Sequence, residues 1–315
     1  MNLSKALHSF LAGTLCLWSI AASAELSIQI TQGVDNPIPI AVVPFSWQGN
    51  GVLSEDVSQI VMNDLEQVGE FLALSRSNML SLPSEETEVY YRDWRILAQD
   101  YLLVGKIDRA PGSQLVQVQY EFFDINREMK LAGEVLTGSV TQLRDIAHEI
   151  SNVVFEQVTG TRGAFTTEIM YVVAEYVNPE LTYFRLEKSD YDGQRAQVLL
   201  ESVEPIMSPS WSPTGRDVAY VSFETDLPRI YIQNIATGDR RQITNYPNLN
   251  SSPEWSPDGT KLAMVLSKDG SPDIYVQDLT TNQLIQVTDH PLIDTEPSWT
   301  ADSRSIVFMS ERTGQ

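Results

Sequence analysis

The sequence predicts an α/β N-terminal domain followed by an all-β propeller, and three observations carry that expectation. One phrase is written three times, so that Pro209, Pro253 and Pro297, and likewise Trp211, Trp255 and Trp299, step by 44 residues. Ahead of the repeats, apolar residues recur at helical spacing between short β-branched runs. Before both lies a short apolar leader with a basic start.

The leader comes first in the chain. Lys5 precedes the apolar stretch "FLAGTLCLWSIAA", and Ala22, Ser23 and Ala24 form a small-residue cleavage site before Glu25. Residues 1–24 are therefore expected to be a secretory signal. The single cysteine, Cys16, falls inside it, which leaves the mature chain without thiol or disulfide. Leu15 stands before that cysteine, where a lipoprotein signal would want a small residue. Without the leader the chain has 20 basic and 42 acidic residues. Such an excess of negative charge argues against a nucleic-acid backbone or an anionic membrane surface as partner, and favours a basic protein surface or a cation. No later run approaches the roughly 20 apolar residues that a membrane span needs.

Residues 25–163 read as the α/β domain. "LSIQITQ", "PIAVVPF", "YLLVGKI" and "QLVQVQYEFFDI" have the composition of strands. Val57, Ile60, Val61, Leu65 and Val68 mark an amphipathic helix over 54–69 with Ser54 as its cap. Leu143, Ile146, Ile150, Val153 and Val154 mark a second over 141–158, with Thr141 as cap and Gly160 past its end. Each helix is expected to lay one face on a small sheet.

Residues 164–315 carry the repeat. Val218, Leu262 and Ile306 fall in register, as do Tyr220, Met264 and Phe308. A period in the low forties with several short strands is the signature of a propeller blade. Within one unit, the Pro-x-Trp segment is a first strand, Ser256-Pro257-Asp258-Gly259 a turn, and "KLAMVLS", "DIYVQDL" and "QLIQVT" the next three strands. The tryptophans are expected between blades. "EIMYVVAEYV" and "YFRLEKSDYDGQRAQVLL" resemble the later strands of a blade that lacks its first. Three to three and a half blades result, against the typical four to eight of a closed ring, so the chain is expected to be C-terminally incomplete.

Few residues suggest chemistry. The mature chain has two histidines, His148 and His290. His148 is expected at the surface or boundary of its helix, and zinc has no credible donor set. Nucleophile-elbow and phosphate-loop motifs are absent. Asp258 and Asp302 follow their tryptophan, the reverse of a sialidase Asp box, and read as turn residues. No catalytic residue, metal ligand or cofactor is expected; Ca²⁺ in a carboxylate-rimmed propeller channel has no supporting spacing. What remains is surface: the loops "NYPNLNSS" (245–252) and "DHPLIDTE" (289–296) combine the apolar Leu249 and Leu292 with Asp294 and Glu296, a mixture that suits a protein interface.

Taken together, "GVD" (33–35) with "PIAVVPF" (39–45), "SDYDG" (189–193), "MSPSWSP" (207–213), "WSPDGTKLA" (255–263) and "TEPSW" (295–299) resemble the TolB family of the Gram-negative Tol-Pal envelope system. The resemblance covers nearly the whole mature chain. It implies a six-bladed ring at full length and a non-enzymatic, monomeric periplasmic protein. Such a protein bridges the inner-membrane Tol complex and the peptidoglycan-associated lipoprotein Pal, serving outer-membrane integrity and constriction at division; colicins exploit the same site in some members. It implies a Pal-binding face with Thr295 and Glu296, and, one blade earlier, Leu249 and Ser252, Leu249 standing where some relatives carry histidine. It also implies a free N-terminal strand (25–36) whose residues Glu25, Leu26, Ser27, Ile28, Gln29, Ile30 and Thr31 engage TolA. An extended strand at a terminus can add to a partner's sheet edge, which gives that role a mechanism. Two alternatives stay open on the residues alone: the propeller gate of an exported prolyl-oligopeptidase-like hydrolase, and a carbohydrate-binding propeller.

Overall fold

The computed structural model describes residues 36–110, 112–179 and 181–312. The expected signal (1–24) and the expected TolA-binding strand (25–31) lie outside the described residues.

In the first domain, β1 (Ile38–Val42) runs parallel to β3 (Phe71–Ala73) and β4 (Tyr101–Arg109). The short β2 (Ser46–Trp47) also lies parallel to β4. Antiparallel β5 (Val116–Asp124) and β6 (Met129–Gly138) complete a sheet of order β3-β1-β4-β5-β6. Strand alternation sends Ile40, Val42, Leu103, Val118, Tyr120 and Phe122 to one face, where α1 (Val57–Gln67) and α3 (Leu143–Thr159) cover them. Ala41, Val43, Leu102, Val104 and Phe123 go to the other, under Trp94 of the short α2 (Tyr91–Ile96). Strands β1 and β4 are buried on both faces, which is why they read as continuous apolar runs.

Both expected helices form, with different starts. The first is capped by Asp56, not Ser54: the Asp56 carboxylate accepts the Gln59 N–H at 3.0 Å and the Arg76 guanidinium at 2.7 Å, so it satisfies an orphan donor and an ion pair at once. Before the second, Val140–Gln142 form a 3₁₀ turn closed by a Ser139–Gln142 capping box, and the expected cap Thr141 sits inside that turn. Gly160 ends α3 with φ +77°, as its position in the sequence predicts.

The remaining described residues form four sheets. β7 (Glu168–Asn178), β8 (Leu181–Asp190) and β9 (Gln197–Ser202) make a three-stranded one. β10 (Ile206–Trp211), β11 (Asp217–Ser222), β12 (Arg229–Asn234) and β13 (Arg240–Gln242) make a full blade. So do β14 (Asn250–Trp255), β15 (Lys261–Leu266), β16 (Asp273–Asp278) and β17 (Leu284–Gln286). β18 (Asp294–Trp299) and β19 (Ile306–Ser310) pair as a hairpin. Trp255 is buried in a cluster joining Ala219, Val221 and Ile232 of one blade to Leu262 and Met264 of the next, and Trp299 Nε1 donates to the Glu254 carbonyl across the following junction at 3.1 Å. Tryptophan therefore cements blades, each of which leaves an apolar face that only a neighbour covers. The Ser-Pro-Asp-Gly turn works as its residues predict: Gly259 has φ +72°, and Asp258 accepts Ser256 Oγ at 2.7 Å and the Thr260 N–H at 2.9 Å. Those hydrogen bonds, Ser256 foremost, hold the Asp258 carboxyl down at about 2.

Antiparallel pairing gives the blades two distinct ends. At the first end lie the entries to β10, β14 and β18 and the β11–β12 and β15–β16 connections. At the second end lie the Ser-Pro-Asp-Gly-type turns and the loop after β8. Among the described residues no helix is long and apolar enough to cross a membrane.

Candidate functional site

At the first end, every inner strand carries the same irregularity. Register skips a residue between Met207 and Ser210, Ser251 and Glu254, and Thr295 and Ser298. Inside each skip, Ser208 (φ +50°), Ser252 (φ +47°) and Glu296 (φ +51°) adopt the left-handed conformation just before a proline. A residue with a side chain, and one preceding proline, is disfavoured there by about 1–2 kcal/mol, so each position is a strained bulge held by its blade. The three bulges, their prolines and Glu254 line a recess of about 230 Å³.

The structure brings Ser252 and Glu296 together across neighbouring blades, Ser252 Oγ donating to Glu296 Oε1 at 3.3 Å. Glu296 is exposed, while Thr295 is half-buried and pairs with Met309 in the β18–β19 ladder. Leu249 does not line the recess; it is half-buried, its N–H donating to Ser267 Oγ at 3.0 Å. Two lining residues escaped sequence reasoning, Ser208 and Glu254. The 44-residue register could have found Ser208, since it is the Ser252 position one blade earlier. Glu254 follows a bulge and is visible only in three dimensions. Burial pushes its carboxyl up, partly offset by the hydrogen bond from Ser210 Oγ at 3.0 Å. Two carboxylates, one exposed and one half-buried, beside two serine hydroxyls can receive donors from a partner.

The second end meets the first domain. Tyr191, in the loop after β8, donates to Asp64 Oδ1 at 2.7 Å, while His148 Nδ1 and Ser151 Oγ approach Asp64 Oδ2 at 2.8 and 2.6 Å. Asp64 is 1% and His148 2% exposed. The expected surface or boundary placement of His148 is thus corrected: its face of α3 is sealed by Tyr191, whose ring meets the imidazole edge-on at 5.5 Å. Around this core, Arg144 pairs with Asp190 at 3.0 Å and with Asp192, and Arg195 pairs with Asp190 at 2.8 Å and with Asp145. Burial would raise the Asp190 carboxyl, but hydrogen bonds from Arg195 and Arg144 outweigh it and hold it below the ordinary value.

Asp64, His148 and Asp192 bring potential ligand atoms within 4.8 Å of one another. Asp64 is already filled by three protein groups, however, and Asp192 is neutralised by Arg144, so the set works as a clasp between domains. Ser151 donates to Asp64 and not to the imidazole, so the trio also lacks the order of a nucleophile triad. The segment "SDYDG" is the strap of this clasp.

Comparison with known proteins places both halves together. Residues 26–131 match the profile of the TolB amino-terminal domain, and residues 155–315 that of the TolB beta propeller domain. The Tol-Pal system protein TolB of Pseudomonas fluorescens Pf-5 is 48% identical over 246 residues, covering 78% of this chain and 56% of that protein. Its counterpart in Pseudomonas aeruginosa PAO1 is 48% identical over 76% of this chain and 55% of its own length. The chain thus spans a little over half the length of these relatives. The crystal structure of TolB from Acinetobacter baumannii superposes with a TM-score of 0.81 at 32% identity, covering 91% of this chain and 69% of that one.

Proposed function

This chain belongs to the TolB family, and from that membership we propose that it is a periplasmic, non-enzymatic bridging protein of the Tol-Pal envelope system that needs no cofactor. Its two domains divide near residue 163. Residues 25–31 engage TolA, and the first end of the propeller receives the peptidoglycan-associated lipoprotein. Bacteriocins of the colicin kind would compete for that end. Through both contacts the protein supports outer-membrane integrity and constriction at division.

One observation supports the lipoprotein-facing role above the rest: Ser252 and Glu296, assigned to that face by resemblance alone, meet across two blades at a strained, partly acidic recess. Strain of this kind persists where surrounding structure fixes a side chain for use, here for contact. Matches to Tol-Pal proteins across both domains favour this reading over a hydrolase gate.

Calorimetric titration of the lipoprotein's periplasmic domain into wild type and Glu296→Lys tests it. Reversing the exposed charge is expected to weaken binding by about tenfold or more, in line with an interfacial charge worth about 1.4 kcal/mol or above. Equal affinities for the two proteins would remove the face assignment.

A further inference from the structure

The three-stranded first sheet is not a plain copy of its neighbours. Its pairs Glu168 with Asp190 through Val173 with Arg185 occupy the same blade positions as Asp217 with Asn234 through Ser222 with Arg229. In the second and third blades the hairpin turns there, with strands of six residues. In the first, β7 has 11 residues and β8 has 10. The surplus on β7, Ala174 to Asn178, adds roughly 16 Å at the usual strand rise.

The direction of this finger follows from chain connectivity. β9 ends at Ser202, paired with Phe184 at the base of the surplus, and after three intervening residues β10 begins at the first end of the second blade. The tip therefore projects at the end that carries the recess, opposite the clasp of Tyr191. Ala174 through Pro179 are all exposed, with Tyr176 70% and Val177 51% accessible. Below them, Met170, Val172 and Phe184 pack into the cluster shared with the second blade. The base is anchored and the tip is exposed.

We infer that the β7–β8 finger is a second contact element for the protein that docks on the recess, with Tyr176 and Val177 as its apolar anchors. The inference rests on the lipoprotein reading above and names its occupant accordingly: the lipoprotein's periplasmic domain, presenting donor groups to Glu296 and Glu254 and an apolar pocket to the finger. Continuity with the recess at one end of the blades is what selects that occupant over a second copy of this chain. Tyrosine suits the role, supplying large contact area with few torsions to freeze.

Two measurements decide it. Tyr176→Ser combined with Val177→Ser is expected to weaken lipoprotein binding about tenfold, with an unchanged circular dichroism spectrum because both side chains are exposed. A photo-crosslinking amino acid at position 176 is expected to capture the lipoprotein domain. If Glu296→Lys loses binding while the double variant keeps it, the finger is wrong and the recess stands. If wild type itself fails to bind, or Glu296→Lys is silent, the underlying reading fails and takes the finger with it. Adducts to a second copy or to another blade, without any to the lipoprotein, also overturn the finger.

Discussion

The two ends of the propeller use the same strands to opposite effect. At the clasp end, a buried carboxylate takes three hydrogen bonds and is ringed by paired arginines. At the recess end, left-handed bulges precede proline three times, and Glu254 is half-buried against its electrostatic preference. At the clasp the buried polar groups are paired within the chain, the Nε2 of His148 excepted, whereas at the recess they sit on strained backbone and stay partly open. A rigid attachment on one side lets the other side keep such costs without losing the fold.

The contrast can be broken most strongly at the clasp. Asp64→Ala leaves Tyr191 and His148 without an acceptor, at about 1–3 kcal/mol for each buried unpaired group, while Ser151 keeps the Ala147 carbonyl at 3.0 Å. A loss of at least about 2 kcal/mol in urea unfolding is expected, with the two domains melting separately. Tyr191→Phe should cost about 1–2 kcal/mol. A single unchanged transition in Asp64→Ala would show that the clasp does not couple the domains.

A smaller effect of opposite sign is expected at the recess. Ser252→Gly relaxes a left-handed residue with φ +47° and should stabilise by about 0.5–1 kcal/mol, while weakening partner binding because the hydroxyl on Glu296 is lost. Destabilisation in the same unfolding assay would mean that the bulge carries no strain.

The smallest effect is a difference in pH response. Glu254 has a raised carboxyl pKa, so its contribution to stability is fully present at acid pH and is lost as pH rises through that value. Glu254→Gln should therefore raise the melting temperature by about 1–2 °C at neutral pH and have no effect near pH 3. Asp190 has a lowered pKa, so its contribution is present above the ordinary carboxylate range and is lost as pH falls through it. Thermal melts from pH 7 to pH 3 should show the Asp190→Asn penalty shrinking as the Glu254→Gln gain does. A pH-independent difference for either variant would contradict the assigned environment.

Much of this was legible in the residues. The 44-residue register, the Ser-Pro-Asp-Gly turns and the Gly160 stop depend on local chemistry, and they appear where the sequence puts them. Ser252 and Glu296 were named through resemblance alone, and the structure adds that their side chains meet across two blades. His148 was misread because a helix periodicity says which residues share a face, not what is packed on it; Tyr191, 43 positions onward, decides that. The caps at Asp56 and Ser139 were missed because several adjacent polar residues can each cap, and Arg76, 20 positions away, selects among them at the first.

By itself, the sequence determined the order of domains, the strand period and the places where the backbone must turn, because these follow from side-chain alternation, glycine and proline acting within a few residues. Tertiary structure alone decided which carboxylates are sealed in ion pairs and which stay open at the recess, and that the first hairpin outgrows its blade toward the same end. Those outcomes depend on contacts between residues far apart in the chain, where burial and pairing set the energy of a charge that looks the same in every sequence position.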